Sequence, residues 1–367
     1  MNSNPSIRGR GAADNPKNRF ETTQYTHDID PQIPAPDEFT GLIPHHRTLP
    51  LTQIIPDRAQ SILTSNDSPD VPFTYSINVY RGCEHGCIYC FARPTHEYLG
   101  MSAGLDFETR ILVKHDAPAL LRKELASKKW VPEVIAMSGV TDCYQPLERK
   151  LELTRRCLEV LFDFRNPVAI ITKNHLVTRD LDLFLELRKF NCVRVFVSVT
   201  TLDVQLARVM EPRASAPGDR LEAIAKLRDA GIPVGVMVAP VIPAITDHEI
   251  APILKASKEA GAQVAGFVPL RLPFGLQELF SDWLEQHFPD RKEKVLNRIR
   301  DLRGGKLNDG NFKSRMRGEG IWAEHILQTF RKTVERLGMT ERSEYGLSTE
   351  HFRRPITAGQ QMGLFGE

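Results

Sequence analysis

Stretches of consecutive apolar residues recur along the middle of the chain, and stretches with helical spacing of apolar residues separate them. Six apolar stretches read as strands: residues 73–80, 134–140, 168–173, 193–200, 234–242 and 264–272. Strands buried on both faces of a parallel sheet have this continuous apolar character. The intervening stretches, such as residues 148–164, have the spacing of amphipathic helices. This alternation predicts an α/β fold whose parallel sheet is closed or partly closed into a barrel.

The two ends of the chain differ from this middle part. Residues 1–45 are rich in Asn, Pro, Asp and Arg and lack periodicity, which predicts a disordered, mobile tail. Residues 46–275 contain the six strands and are predicted to form the barrel. Residues 276–367 read as a basic, helical C-terminal extension. Within it, the basic segment 291–317 carries ten Lys or Arg and three Asp or Glu, a balance of +7.

Composition excludes some classes of protein. The 367 residues carry a net charge of only +2, so no whole-molecule field indicates a polyanionic partner. No apolar stretch is long enough to span a bilayer, and the first twenty residues lack the apolar core of a secretory signal. We therefore expect a cytoplasmic protein with no membrane association. Six cysteines in a reducing compartment indicate metal or redox chemistry rather than disulfides.

The segment YRGCEHGCIYCFARPTH, residues 80–96, holds three cysteines within eight positions. Cys83, Cys87 and Cys90 have the spacing C-x3-C-x2-C, and no fourth cysteine follows at a ligand-like distance. An iron–sulfur cube is normally held by four cysteines, so three leave one iron open to a small chelating molecule. The segment follows the first predicted strand, and we expect it at the carboxyl-terminal edge of the sheet, where such barrels carry their chemistry.

Two other uses of these cysteines stay open on spacing alone. A structural zinc site takes four ligands, and His85 or His96 would complete a Cys3His set. Packing on one helix face would also suit the positions i, i+4 and i+7, although Gly82 and Gly86 disfavour a helix here. The open iron–sulfur cluster is the favoured interpretation.

The cysteine spacing, an aromatic residue before the third cysteine, and the position after the first strand of a βα series together resemble the radical S-adenosylmethionine (radical SAM) superfamily. The resemblance implies a partial (β/α)6 barrel in which the three cysteines hold one [4Fe–4S] cluster and S-adenosylmethionine (SAM) chelates the fourth iron. It implies reductive cleavage of SAM to a 5′-deoxyadenosyl radical that abstracts hydrogen from a substrate. It places Tyr89 near the adenine and requires a reductant such as flavodoxin or ferredoxin.

The stretches GCEHGCIYCFARPTH, TDCYQPLERKLELTR, ITKN and SVTTLD are similar to the DNA-repair-photolyase-like group, which is related to spore photoproduct lyase. This resemblance implies that Lys173 and Ser198 contact the carboxylate and ribose region of SAM. It also makes Cys143 a candidate hydrogen-atom donor and Tyr144 a candidate radical relay, because both follow the second strand. The alternative for Cys143 is a loop cysteine without a role.

The stretch MEPRASAPGDR, residues 210–220, joins the fourth strand to the next helix. Glu211 is a candidate ligand of the SAM amino group, and Arg213 is a candidate ligand of a carboxylate or phosphate. An ordinary surface ion pair is an equal alternative for these two residues.

The group resemblance alone indicates a nucleic acid, and in particular a base lesion, as substrate. Candidate phosphate-binding residues lie in the basic segment: Arg298, Arg300, Arg303, Lys306, Lys313, Arg315 and Arg317, with Phe312 available for stacking. Two alternatives stay open: a radical SAM enzyme that modifies RNA, a protein or a small metabolite, and a zinc-stabilised nucleic-acid-binding protein without catalysis.

Overall fold

The computed structural model describes residues 7–21, 51–341 and 346–355. Its strands are β1 (Gln53–Pro56), β2 (Leu63–Ser65), β3 (Tyr75–Ile77), β4 (Tyr80–Arg81), β5 (Arg110–Val113), β6 (Ile135–Met137), β7 (Val168–Thr172), β8 (Val193–Ser198), β9 (Val234–Val241), β10 (Val264–Pro269) and β11 (Thr340–Glu341). Its α-helices are α1 (Leu105–Thr109), α2 (Ala117–Ala126), α3 (Glu148–Leu151), α4 (Leu153–Phe164), α5 (Leu181–Arg188), α6 (Val204–Met210), α7 (Pro217–Asp229), α8 (Ile250–Ala260), α9 (Leu276–His287), α10 (Lys292–Leu302), α11 (Ser314–Arg317) and α12 (Gly320–Arg336).

The main sheet has eight strands in the order β11-β10-β9-β8-β7-β6-β3-β2. All neighbours pair in parallel except β2 and β3, which are antiparallel. The six strands predicted from the sequence are β3 and β6 to β10, and they lie side by side in chain order, as in a barrel. Ser76 of β3 and Val268 of β10 line the same cavity, so the sheet curves around it. The predicted partial (β/α)6 barrel is confirmed.

The first predicted strand is shorter than the sequence indicates. It leaves the main sheet after Ile77, and its last residues form β4, which pairs antiparallel with β5 in a separate three-stranded sheet. Asn78 lies at the break, where its side-chain oxygen accepts a hydrogen bond from the Val140 N–H at 2.8 Å. The chain therefore changes sheets immediately before the cysteines, and the strand that leads into them belongs to the separate sheet.

The C-terminal helices pack on the cysteine-containing segment. Buried residues of α9 and α10, among them Trp283 and Ile299, share one hydrophobic cluster with Cys87, Ile88 and Tyr89. The Trp283 indole donates to the carbonyl of Val209 at 3.1 Å. None of the helices in the described part of the chain is both long and apolar enough to cross a bilayer.

Part of the predicted N-terminal tail is packed on the barrel. Residues 7–21, the N-terminal strap, lie against the segment that contains the cysteines. The N–H groups of Gly11 and Ala12 donate to the Glu108 carboxylate at 3.0 and 2.8 Å, and Asn18 donates to the carbonyls of Glu97 and Met101. These partners lie 79 to 97 residues away in the chain, so no local sequence pattern predicts the contacts. The rest of the predicted tail, residues 1–6 and 22–45, lies outside the described residues.

Substitution of Gly11 with alanine tests this contact. A Cβ atom at Gly11 would lie 1.8 Å from the carbonyl oxygen of Gly86, which leaves no room for a methyl group. We expect Gly11→Ala to displace the strap and to lower the free energy of unfolding by about 1–3 kcal/mol. Hydrogen exchange of residues 7–21 should accelerate. Gly218→Ala is the matched control, because a Cβ at Gly218 meets no atom within 4 Å. Equal exchange in the two variants would contradict the packed strap.

Candidate active site

The cysteine loop, residues 82–92, follows β4 and contains no helix. Gly82 and Gly86 have φ values of +85° and +66°, a conformation that glycine adopts at little cost. The glycines therefore prevent the helical spacing of the cysteines from producing a helix, as the sequence predicts. All three cysteines line one cavity of about 560 Å³, and Cys83 and Cys87 are buried.

A buried arginine holds the cysteine loop in place. The Arg93 guanidinium, which is fully buried, donates to the carbonyls of Cys87 and Gly86 at 2.9 and 3.0 Å. It also donates to the carbonyls of Ala103 and Gly104 and forms an ion pair with the buried Glu108. Because the Glu108 carboxylate also accepts hydrogen bonds from the strap, one carboxylate joins the strap, Arg93 and the loop. The loop is thus shaped by backbone contacts and not by its thiols.

The donor set fits an iron–sulfur cluster better than a single metal ion. Among the described residues, no three His, Cys, Asp or Glu side chains converge as a single-ion site. A cluster needs no such convergence, because each thiolate binds a different iron. Burial, as the largest cause, raises the pKa of all three thiols. Cations bound at the sulfurs would offset this desolvation and favour the thiolates.

The two histidines considered as zinc ligands are engaged elsewhere. His85 lies between Asn174, whose amide nitrogen is 3.1 Å from Nε2, and Asp142, whose carboxylate is 3.4 Å from Nδ1. The amide donor fixes Nε2 as the acceptor, so Nδ1 carries the proton. Burial is the main cause that lowers the pKa of His85 to about 4, so the ring is neutral. The His96 Nε2 contacts the carbonyl of Arg110 at 2.9 Å.

Six residues predicted from the sequence line the cavity together: Cys83, Cys87, Cys90, Tyr89, Lys173 and Ser198. Lys173 directly follows β7 and Ser198 ends β8, so both lie at the carboxyl-terminal edge of the sheet. The Lys173 ammonium is 5.8 Å from the centre of the Tyr89 ring. A cation at this position can pair with a carboxylate bound in the cavity.

Asp142 lines the cavity and holds several parts of the site together. Its carboxylate accepts hydrogen bonds from the Lys173 N–H at 2.8 Å and from the Thr172 hydroxyl at 2.7 Å. It also faces His85 of the cysteine loop. Asp142 therefore connects the loop after β6, the end of β7 and the cysteine loop. Its place after a strand was visible in the sequence, but its contacts were not.

Glu211 forms a buried network instead of facing the cavity. Its carboxylate accepts from the Tyr89 hydroxyl and from Thr200 at 2.8 Å, and it pairs with the buried Arg220. Burial raises the pKa of Glu211, and Arg220 opposes that rise. Glu211 thus fixes the Tyr89 ring at the cavity wall. Its role toward SAM stays a prediction, and Glu211 is not among the described residues that line the cavity.

Arg213 pairs with Glu84 of the cysteine loop, with 3.0 Å between the charged atoms. Its backbone N–H donates to the carbonyl of His85 at 3.3 Å. The partner Glu84 is buried, whereas the alternative left open from the sequence was an ordinary surface ion pair. Like Glu211, Arg213 is absent from the described cavity lining, and its role as an anion ligand stays a prediction.

Cys143 and Tyr144 do not reach the cavity. Cys143 is 2% exposed and belongs to the main hydrophobic core, and the Tyr144 hydroxyl donates to the buried Asp180 at 2.9 Å. The chain turns at Ser138, which has a φ of +76°. As a result the segment 138–142 lines the cavity, and the next two side chains point into the core. Their catalytic roles remain predictions that this placement does not favour.

The mouth of the cavity is built from the ends of the barrel and the basic segment. Arg315 and Met316 of α11 line it, together with Arg271, which lies just beyond β10. Arg315 is held by Asp70 and by Ser68. Sequence reasoning missed Arg271, although a charged residue at the end of the last predicted strand was a usable signal.

Arg303 was predicted to be a candidate phosphate-binding residue, and the structure contradicts that prediction. It is 4% exposed and donates to the carbonyls of Leu270, Ser314 and Arg315 at 2.8 to 3.0 Å. Its charge is used to hold the basic segment against the end of β10 and is inaccessible to a phosphate. Arg298 forms an ion pair with Asp247, with 3.3 Å between Nη1 and the carboxylate oxygen.

Comparisons with known proteins agree with this geometry. Residues 77–256 match the sequence model of the radical SAM superfamily. An uncharacterized protein of Mycobacterium bovis is 38% identical over 234 residues, which are 63% of this chain and 68% of the relative. An uncharacterized protein of Methanocaldococcus jannaschii is 30% identical over 224 residues, 61% of this chain and 80% of the relative.

Solved structures share the fold. Spore photoproduct lyase complexed with dinucleoside spore photoproduct has a TM-score of 0.58 and 18% identity, and the match covers 79% of this chain and 82% of the lyase. A double mutant of the same lyase, with bound AdoMet and dinucleoside spore photoproduct, gives the same values. At this identity the likeness is one of fold.

Proposed function

The chain belongs to the radical SAM superfamily, and we propose that it is an enzyme that acts on a base lesion in a nucleic acid. The superfamily uses one [4Fe–4S] cluster and SAM and needs an electron donor, for which we propose a flavodoxin or a ferredoxin. When bound and reduced by one electron, this pair would supply radical chemistry that removes a hydrogen atom from the substrate, with methionine and 5′-deoxyadenosine as the products of SAM cleavage.

We assign the chain's own residues as follows. Cys83, Cys87 and Cys90 would hold the cluster. Lys173 would pair with the carboxylate of SAM, since its ammonium lies in the cavity near Tyr89. Ser198 would face the ribose. Tyr89, held by Glu211, would form the wall beside the adenine.

The observation that carries the nucleic-acid proposal is the position of the basic segment. Its residues Arg315 and Met316 line the same cavity as the cysteine loop. Phe312 is 54% exposed, and the Arg315 guanidinium lies 4.4 Å from the centre of its ring. Cationic and aromatic side chains beside a catalytic cavity suit a phosphate backbone and an unstacked base. A base inside a duplex must leave the stack to reach such a cavity.

A direct assay tests the proposal. The protein is reconstituted anaerobically with iron and sulfide and supplied with SAM and dithionite. One sample receives a DNA oligonucleotide that carries the spore photoproduct, and its control receives the undamaged sequence. We expect loss of the lesion, measured by mass spectrometry, only when SAM and reductant are both present, together with 5′-deoxyadenosine.

The outcomes separate the alternatives. Formation of 5′-deoxyadenosine with an unchanged lesion would contradict the DNA-lesion proposal and turn the search to RNA, proteins and metabolites. One equivalent of zinc, with no iron after anaerobic purification, would contradict the proposal that the protein is a radical SAM enzyme.

A further inference from the structure

Arg271 is a cation that lines the cavity. Its buried Nε has no hydrogen-bond partner among the residues that the structure describes. Its Nη1 contacts the sulfur of Met316 at 3.4 Å, and a thioether is a weak acceptor. No carboxylate of the described residues lies within 4 Å of its guanidinium nitrogens. A partly buried guanidinium with unmet donors is costly, which indicates that a ligand completes its bonding.

The neighbouring arginine has a different bonding state. Arg315 forms an ion pair with Asp70, and its Nη2 is 2.5 Å from the hydroxyl of Ser68. Asp70 also accepts a hydrogen bond from the N–H of Lys313 at 2.6 Å. The charge of Arg315 is therefore balanced by the protein and holds the basic segment against the loop around Asp70. Burial, as the largest cause, and the nearby Arg315 lower the pKa of Arg271, and the carboxylates of Asp70 and Asp309 oppose that shift.

An aromatic side chain stands beside Arg271. Phe91 is 49% exposed, lines the cavity and directly follows Cys90. Its ring centre is 5.9 Å from the Arg271 guanidinium carbon. The cavity thus presents a forked cation and an exposed ring next to the cysteine loop. A phosphate with an attached nucleoside matches this pair, because guanidinium binds phosphate oxygens in a fork and a ring stacks on a base.

We propose that Arg271 binds a phosphate group of the substrate, with Phe91 available to stack on the adjoining base. This inference rests on the proposed function, since it makes the substrate a nucleotide or a nucleic acid strand. It assigns the recognition of the backbone to a residue of the barrel, in addition to the basic segment. Arg271 is a binding residue in this proposal and takes no part in bond cleavage.

Binding of a fluorescent, short single-stranded oligothymidylate to the reconstituted full chain tests the proposal. We expect Arg271→Met to weaken binding roughly tenfold and to lower the slope of log affinity against log salt by about 0.7, the value for one phosphate contact on a single strand. Arg271→Lys keeps the charge, so the slope should persist while the affinity falls. Lys128→Met is the control, because Lys128 is exposed, lies outside the basic segment and does not line the cavity.

Each outcome has one meaning. Equal affinity and slope for Arg271→Met and Lys128→Met would overturn this inference and leave the proposed function standing. Absence of binding by the wild-type protein would overturn this inference, whereas the proposed function is decided separately by the lesion assay. A loss of SAM affinity in Arg271→Met would place the SAM carboxylate on Arg271, which would also overturn the inference. Should Arg271→Met fail to fold, Arg271→Lys still separates charge from geometry.

Discussion

Replacement of Cys87 with alanine is expected to remove the [4Fe–4S] cluster and, with it, all formation of 5′-deoxyadenosine. The thiol is one of three in the cavity, and the described part of that cavity offers no further cysteine as a substitute. The barrel should remain folded, because the loop is held by the hydrogen bond from Arg93 to the Cys87 carbonyl, which alanine retains. Iron and sulfide content, circular dichroism and the product assay together measure this outcome.

The matched control is Cys157→Ala. Cys157 is fully buried in α4 and belongs to the main hydrophobic core. Its loss removes a thiol of the same size without touching the cavity, so cluster content and product formation should persist. Full iron content in Cys87→Ala would show that the cluster has other ligands and would contradict the assignment of the cysteine loop.

Glu108→Gln is expected to lower the free energy of unfolding by about 3–5 kcal/mol, the cost of leaving a buried charge without its partner. Arg93 and Glu108 are both fully buried and form an ion pair. The substitution leaves the Arg93 guanidinium charged inside the protein and weakens the acceptor of the strap. Urea unfolding of the cluster-free protein measures the change.

Glu186→Gln is the control for this experiment. Glu186 and Lys189 form an ion pair on the surface, where both side chains are largely exposed, so its loss should change stability little. A similar stability for the two variants would mean that Arg93 is satisfied by its four backbone acceptors alone. Proteolysis of the strap should also be faster in Glu108→Gln, because Gly11 and Ala12 bind the same carboxylate.

The sequence predicts well those features that result from burial of the strands on both faces of the sheet. β7 and β8 are apolar along nearly their whole length because helices cover one side and the barrel interior lies on the other. Their ends place Lys173 and Ser198 at one edge of the sheet, so the approximate position of the cavity follows from the pattern. The cysteine spacing then adds the chemistry. These inferences depend only on local pattern and on the geometry shared by parallel sheets.

Features that depend on contacts between distant residues could not be predicted from the sequence. β1 is short and mostly exposed, and its pairing with β5 leaves no periodic pattern. Whether Cys143 faces the cavity depends on how the chain turns at Ser138, since a shift of one residue reverses the direction of a side chain. The sequence could place Arg271 at the end of the last predicted strand. That its Nε has no hydrogen-bond partner among the described residues is visible only in the three-dimensional structure.

The contact between the strap and the cysteine loop also restricts how the sequence can vary among relatives. Position 11 has no space for a Cβ against Gly86, and position 86 has a positive φ and lies against Glu108, where a Cβ would be 2.6 Å from the carboxylate. Substitutions at positions 11, 86 and 108 are therefore expected to depend on one another. Relatives that retain the strap should keep both glycines and the acid together. Relatives that lose the acid should be free to vary at position 11, so the three positions should change in concert.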